Sequence, residues 1–206
     1  MEFPNKNEYY PGYQPYIDLV NQEHFFEQFD KVTNETIDLL KSIPIDKLNY
    51  KYAENKWTIK EVLMHIIDTE RGFSYRAIVC LRNDKKIPLH GMDEDFYAKN
   101  VNVTNRPIES MLEEFEIVRK GFRILFENCT EAQASFLGKG LHYEISARAL
   151  GYISIGHTKH HLNVIKEKYK QFDPKGFRKH TTDELSFQSC IAFFERKNGN
   201  FWVGTD

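Results

Sequence analysis

Four stretches of the sequence carry apolar residues at three- and four-residue spacing, which is the period of an amphipathic α-helix. They run over about residues 17–41, 58–81, 107–126 and 146–169. The longest connection, about residues 84–106, lies between the second and third stretches. This order predicts an all-α protein, a four-helix bundle with a long crossover between helices 2 and 3.

Local signals agree with these boundaries. Thr58 and Glu61 have the spacing of a capping box, in which each side chain accepts a hydrogen bond from the other residue's free backbone N–H. Pro107 suits the first turn of a helix, and Ser146 can cap the last one. Pro44 ends the first helical pattern. The four helices are therefore predicted to be separate elements.

The two ends of the chain do not share this pattern. Residues 1–16 contain three prolines and four tyrosines, which predicts an extended arm lying on the body. The bundle is assigned to residues 17–172, and residues 173–206 form a C-terminal extension. An Asn-Gly dipeptide at 198–199 is common in hairpin turns, and apolar residues flank it. We expect a small β-hairpin over about residues 186–204.

Composition and charge argue against several function classes. The 28 Lys+Arg and 30 Asp+Glu give a net charge of −2 without long runs of one sign, so nonspecific nucleic-acid binding is disfavoured. No stretch approaches about 18 uninterrupted apolar residues, so a membrane span is not expected. The N-terminus lacks a signal-peptide layout, and the three cysteines are far apart. We predict a reduced, cytoplasmic protein.

Two of the eight histidines lie on the apolar face of the last predicted helix. His157 and His161 are about 40° apart around that helix, and both fall on its apolar stripe. Histidines at i and i+4 can share one metal ion, but buried imidazoles can also be hydrogen-bonded core residues. On the second helix, His65 lies at the edge of the stripe, where it could turn towards a neighbouring helix.

Two carboxylates on the second helix leave similar alternatives open. Glu70 falls on the apolar stripe, so it must be ion-paired or serve chemistry. Its candidate partners for an ion pair are Arg119, Arg123 and Arg148. Asp68, three residues after His65, could orient that imidazole as a hydrogen-bond acceptor, or it could be a solvated surface acid. Both carboxylates are candidates to support a metal ligand.

Three segments resemble the DinB-like (DinB/YfiT) superfamily. YAENKWTIKEVLMHIIDTER, residues 52–71, is similar to the second-helix signature of that superfamily, and GHTKHHLNVI, residues 156–165, resembles its last-helix motif. The crossover segment LHGMDEDFY, residues 89–97, is similar to the corresponding segment of one DinB subgroup. The resemblance covers roughly residues 8–170.

The resemblance implies a four-helix bundle, often dimeric, that holds a divalent metal with three histidines. By motif position the implied ligands are His65, His157 and His161. His160 commonly accompanies the motif and is not assigned as a ligand, whereas the crossover could fold His90 over the site. An all-nitrogen site accepts zinc, nickel, iron or manganese.

The resemblance also implies an activity, because relatives in this superfamily include S-transferases and isomerases that use a low-molecular-weight thiol. We expect a metal-dependent enzyme acting on a small molecule, of thiol S-transferase or hydrolase type. The alternative is a non-enzymatic metal-binding or stress-response protein. A substrate-sized pocket that opens onto the metal would favour the enzyme. A fourth metal position closed by a protein side chain would favour the alternative.

Overall fold

The computed structural model describes residues 1–86, 89, 91–140 and 143–169. Within these residues there are seven α-helices, one antiparallel pair of strands and two 3-10 turns. The helices are α1 (Gln14–Ile17), α2 (Phe25–Ser42), α3 (Ile59–Leu81), α4 (Glu94–Asn100), α5 (Ile108–Glu127), α6 (Glu131–Ala134) and α7 (Ala147–Lys168). The strands are β1 (Leu137–Lys139) and β2 (Glu144–Ser146), and the 3-10 turns are Pro11–Tyr13 and Ile45–Lys47. The hairpin predicted at 186–204 lies outside the described residues.

The four long helices α2, α3, α5 and α7 form the predicted bundle. Helix α3 packs on both α5 and α7, and α2 packs on the same two helices from the other side. The connection between α3 and α5 is the long crossover, as the sequence predicted. None of the helices in the described part of the chain is long and apolar enough to cross a membrane.

The capping signals read from the sequence are present in the structure. The Thr58 hydroxyl accepts from the Glu61 N–H at 3.1 Å, and the Glu61 carboxylate accepts from the Thr58 N–H at 2.6 Å. At the start of α7, the Ser146 hydroxyl accepts from the Ala149 N–H at 3.0 Å. These bonds fix the first turns of the two helices that carry the histidines.

The N-terminal residues are more regular than the sequence indicated. The long helix predicted from residue 17 begins only at Phe25, because His24 adopts a left-handed backbone conformation with φ of 59°. Instead of an extended arm alone, the preceding residues form a 3-10 turn and α1, which packs on α7. Gly156 permits this contact, since a Cβ there would lie 1.9 Å from the Tyr16 carbonyl oxygen.

Side chains of the bundle hold two segments that lie outside it, the N-terminal residues and the crossover. Arg148 at the start of α7 pairs with Glu8 through Nε and Oε2 at 2.7 Å, which attaches the N-terminal residues. Buried Lys60 on α3 donates to the carbonyl oxygens of Thr104 and Arg106, at 2.9 and 2.8 Å. The crossover is thereby held against α3, and α4 packs on the same helix.

Candidate metal centre

Three histidines from two helices meet inside the bundle. His65 comes from α3, and His157 and His161 come from α7. The Nε2 atom of His157 lies 3.0 Å from His65 Nε2 and 3.1 Å from His161 Nε2. His65 and His157 are buried and His161 is half-buried, and one ligand atom from each lies within 4.8 Å of the others. The three residues selected from the sequence are therefore neighbours in the structure.

This arrangement of nitrogens fits a divalent ion better than it fits hydrogen bonds. A neutral imidazole nitrogen carries either one proton or one lone pair, so His157 Nε2 can satisfy only one of its two neighbours. A bound cation would accept lone pairs from all three rings. Ligand nitrogens with bonds of about 2.1 Å in a tetrahedral site lie about 3.4 Å apart, close to the spacing seen here.

The surroundings keep these imidazoles neutral. Burial, with a smaller contribution from nearby His160, lowers the pKa of His65 to about 3. Burial and the neighbouring histidines also hold the pKa values of His157 and His161 well below the usual range. The neutral ring is the form that binds metal, so protons compete weakly for this cluster at neutral pH.

Aromatic side chains form the wall of the site. The ring of Trp57 lies 4.8 Å from that of His65, and the rings of Tyr16 and Phe73 meet His157 edge-on at 5.4 and 6.2 Å, measured between centroids. Tyr16 also contacts His160, which is not part of the cluster of three. These rings are part of the surroundings that bury the imidazoles.

Glu70 is ion-paired inside the bundle, and its partner is Arg119. Arg119 Nη1 lies 2.7 Å from Glu70 Oε2, and the Ser154 hydroxyl donates to the same oxygen at 2.5 Å. Arg119 Nε donates to the Thr33 hydroxyl at 2.9 Å, which extends the network to α2. Of the two alternatives left open for Glu70, an ion pair or a role in chemistry, the structure shows the ion pair. A role in supporting the histidines stays a prediction.

Asp68 is half-buried beside the same site. Its Oδ1 lies 3.5 Å from Arg71 Nη1, and its carboxylate lines the small cavity that also touches His65. Burial raises its pKa, and Arg71 partly offsets this increase. The proposal that Asp68 orients His65 is left as a prediction. His90, the other residue considered for the site, lies outside the described residues.

Glu94 is the site residue that sequence reasoning missed. It begins α4 in the crossover, and its Oε2 lies 3.7 Å from His65 Nε2. Burial raises the pKa of Glu94 to about 8, with contributions from Asp95 and Asp93. A signal was available, because Asp93 is a good N-cap residue followed by acidic residues, the pattern of a helix start. Which acid faces the bundle could not be deduced from that pattern.

Helix α4 leaves little free space next to His65. The cavity between α3 and α4 is lined by His65, Asp68 and Glu94 among others, and its volume is about 10 Å³. That is roughly the room needed for one water molecule. A substrate larger than water does not fit between α3 and α4 in this structure.

The fold and the cluster define a class of protein: a crossover four-helix bundle with three histidines, one on its second long helix and two on its last. A family model described as the DinB superfamily matches residues 28–165. This chain belongs to the DinB superfamily.

Similar proteins agree with this assignment. A protein of Oceanobacillus iheyensis, described as a putative metal-dependent hydrolase, is 26% identical over 155 residues, which are 73% of this chain and 86% of that protein. A protein of Geobacillus thermodenitrificans with the same description is 27% identical over 128 residues, 61% of this chain and 71% of that protein.

Two solved structures share the fold. YfiT of Bacillus subtilis, described as a probable metal-dependent hydrolase with an unusual four-helix bundle topology, has a TM-score of 0.65 at 14% identity. That match covers 82% of this chain and 93% of YfiT. The DinB-like protein YjoA of the same organism has a TM-score of 0.52 at 18% identity, covering 79% and 97% of the two chains.

Proposed function

We propose that this protein is a metal-dependent hydrolase of a small molecule, with His65, His157 and His161 as the ligands of one divalent ion. The observation that carries the proposal is the convergence of three neutral Nε2 atoms at 3.0 and 3.1 Å inside an aromatic pocket. The descriptions of the two curated relatives support the same reaction class.

The residues of the chain preorganise this site. His65, His157 and His161 would hold the ion, which would lower the pKa of a water molecule to about 7. His157 and His161 are one turn apart on α7, so the helix itself sets the directions of two lone pairs. The Glu70–Ser154 bond joins α3 to α7 three residues before His157, which fixes the register of the two ligand-bearing helices.

The second candidate function is that of a non-enzymatic metal-binding protein. The narrow cavity between α3 and α4 favours it, since α4 covers His65 and leaves room for about one water. Thiol transfer would use the same histidines as hydrolysis, and assays with and without a low-molecular-weight thiol separate these two reactions. The homodimer and the cytoplasmic location expected from the sequence stay predictions.

The metal assignment is tested by metal content. After chelator treatment, the wild-type protein should bind about one equivalent of zinc or cobalt, and the triple variant His65→Ala, His157→Ala, His161→Ala should bind none while keeping its helical circular dichroism. The variant His24→Ala is the control, because His24 is exposed at the start of α2. Full metal stoichiometry in the triple variant would contradict the ligand set.

The reaction is tested on the metal-loaded protein with a panel of small esters, amides and thiol acceptors. Hydrolysis by the wild type and none by the triple variant supports the hydrolase. Turnover only with an added thiol would instead assign thiol transfer. A fully loaded protein that turns over none of these substrates would favour the non-enzymatic function.

A further inference from the structure

Helix α4 places a carboxylate at the inner side of the histidine cluster. Asp93 caps this helix by accepting from the Phe96 N–H at 3.0 Å, and Glu94 follows as its first residue. Glu94 Oε2 lies 3.7 Å from His65 Nε2, the same nitrogen that faces His157 at 3.0 Å. The carboxylate thus approaches the nitrogen at which the three rings converge.

This position distinguishes two roles for a carboxylate near a metal-binding histidine. A carboxylate that only orients a ligand bonds to the ring nitrogen that does not bind the metal. Glu94 is next to the nitrogen that would bind it. Donor atoms on one tetrahedral ion are about 3.4 Å apart, so the 3.7 Å separation is close to that of two ligands of the same ion.

Glu94 is close to one of the three rings. In the described part of the chain, the group whose ligand atoms all lie within 4.8 Å of one another consists of the three histidines. Glu94 is therefore near His65 but not equally near the other two rings. For one ion to bind all four residues, the Glu94 carboxylate would have to move closer to His157 and His161.

Charge also favours a cation at this place. The Glu94 side chain is only 19% exposed, and its neighbours in sequence are Asp93 and Asp95. The ionisable group that it contacts among the described residues is His65. The ionised form of a carboxyl group in such surroundings is costly unless a positive charge compensates it. A divalent ion held by the three imidazoles would supply that charge.

We propose that Glu94 is the fourth protein ligand of the metal, so that metal binding fastens α4 over the histidines. This inference rests on the proposed metal centre and adds a ligand from the crossover. With α4 lifted from α3 and Glu94 withdrawn, the place of the carboxylate would be open to water or substrate.

The first test is the zinc affinity of Glu94→Gln, measured by competition with a chromogenic chelator. Loss of the ligand should weaken binding roughly tenfold or more, since even residues that merely support ligands cost this much. Asp95→Asn is the matched control, because it removes the same charge from the next residue of α4, which is exposed. It should stay within about twofold of the wild type.

Two further measurements report the coordination of the metal and the local stability of α4. The cobalt-loaded wild type and Asp95→Asn should show the intense visible bands of four-coordinate cobalt, and Glu94→Gln should show an altered spectrum. Zinc should slow hydrogen exchange of the α4 amides in the wild type and in Asp95→Asn, but not in Glu94→Gln.

Equal weakening in Glu94→Gln and Asp95→Asn would overturn the proposal, because it would indicate a general effect of charge. An unchanged affinity and cobalt spectrum in Glu94→Gln would overturn it as well. If Glu94→Gln behaves like the wild type while His161→Ala loses the metal, the metal centre stands and only the role of Glu94 fails. If the wild type binds no metal, both proposals fail together.

Discussion

Replacing Arg119 with methionine should strongly destabilise the bundle. Arg119 is 1% exposed, and its guanidinium bonds to the side chains of Glu70, Ser154 and Thr33 at 2.7–2.9 Å. The same group lies 3.5 Å from the centroid of the Phe29 ring. Methionine fills part of the volume but leaves the Glu70 carboxylate buried without a cation.

The expected loss follows from that unpaired charge. Breaking a buried ion pair by removing one partner costs about 3–5 kcal/mol of unfolding free energy. In a domain of this size, 1 kcal/mol corresponds to roughly 2–4 °C in Tm, so the decrease should be about 6–20 °C. The double variant Glu70→Gln, Arg119→Met should recover part of it, since no buried charge is then left unpaired.

The assay is urea and thermal unfolding followed by circular dichroism. The matched control is Arg123→Met, one turn further along α5, because Arg123 forms more exposed ion pairs with Asp30 and Glu127. Such exposed pairs contribute about 0–1 kcal/mol. A loss below about 1 kcal/mol for Arg119→Met, or one equal to that of Arg123→Met, would refute the reasoning.

Two further predictions concern backbone packing and pH. Gly156→Ala should lower the free energy of unfolding by about 1–3 kcal/mol, because its Cβ would lie 1.9 Å from the Tyr16 carbonyl oxygen. Gly72→Ala should raise it by up to about 1 kcal/mol, because no atom lies within 4 Å of the added Cβ. Equal urea midpoints for the two variants would contradict this. For the metal-free protein, stability should fall as the pH is lowered from 6.5 to 4, because the unfolded chain takes up protons there while burial keeps the pKa of folded His161 well below the usual range. Each such histidine contributes up to about 1.4 kcal/mol per pH unit to this loss. When each protein is compared with its own stability at pH 7.5, the free energy of unfolding should therefore fall less steeply with pH in His161→Ala than in the wild type. Identical slopes would be evidence against a buried neutral ring.

The helices and the inward positions of His157 and His161 could be predicted because both depend on local sequence, and the resemblance to the DinB-like superfamily implied that His65 joins them. The capping box at Thr58 and the cap at Ser146 set where α3 and α7 begin. Once each helix begins, its 3.6-residue period fixes which side chains face inward. The placement of His157 and His161 followed from that period alone, and that of His65 followed from the period together with the motif.

The features that the sequence left open or missed depend on contacts between distant segments. Arg119 and Arg123 are one turn apart on α5, and only the packing of α5 against α2 and α3 decides that the first reaches Glu70. Glu94 lies in a segment with little periodicity, and its position depends on how the crossover is held against α3 by Lys60. No local pattern specifies either contact.

The core contains two polar layers, the ion-pair network of Glu70, Arg119 and Ser154 and the cluster of three histidines. Only the second is proposed to bind a metal. The Glu70–Ser154 and His65–His157 contacts show that α3 and α7 run antiparallel. Along α7 the two layers are only about 4.5 Å apart, since Ser154 and His157 are separated by three residues. The ion-pair layer is held together by protein side chains through Glu70 Oε2, whereas Glu70 Oε1 is buried without a hydrogen-bond partner. These bonds fix the ligand-bearing helices in register before any metal arrives. Helix α4 packs on α3, and its Glu94 side chain approaches His65 rather than a cationic side chain among the described residues. Metal removal should therefore loosen the crossover first, while the four long helices stay assembled.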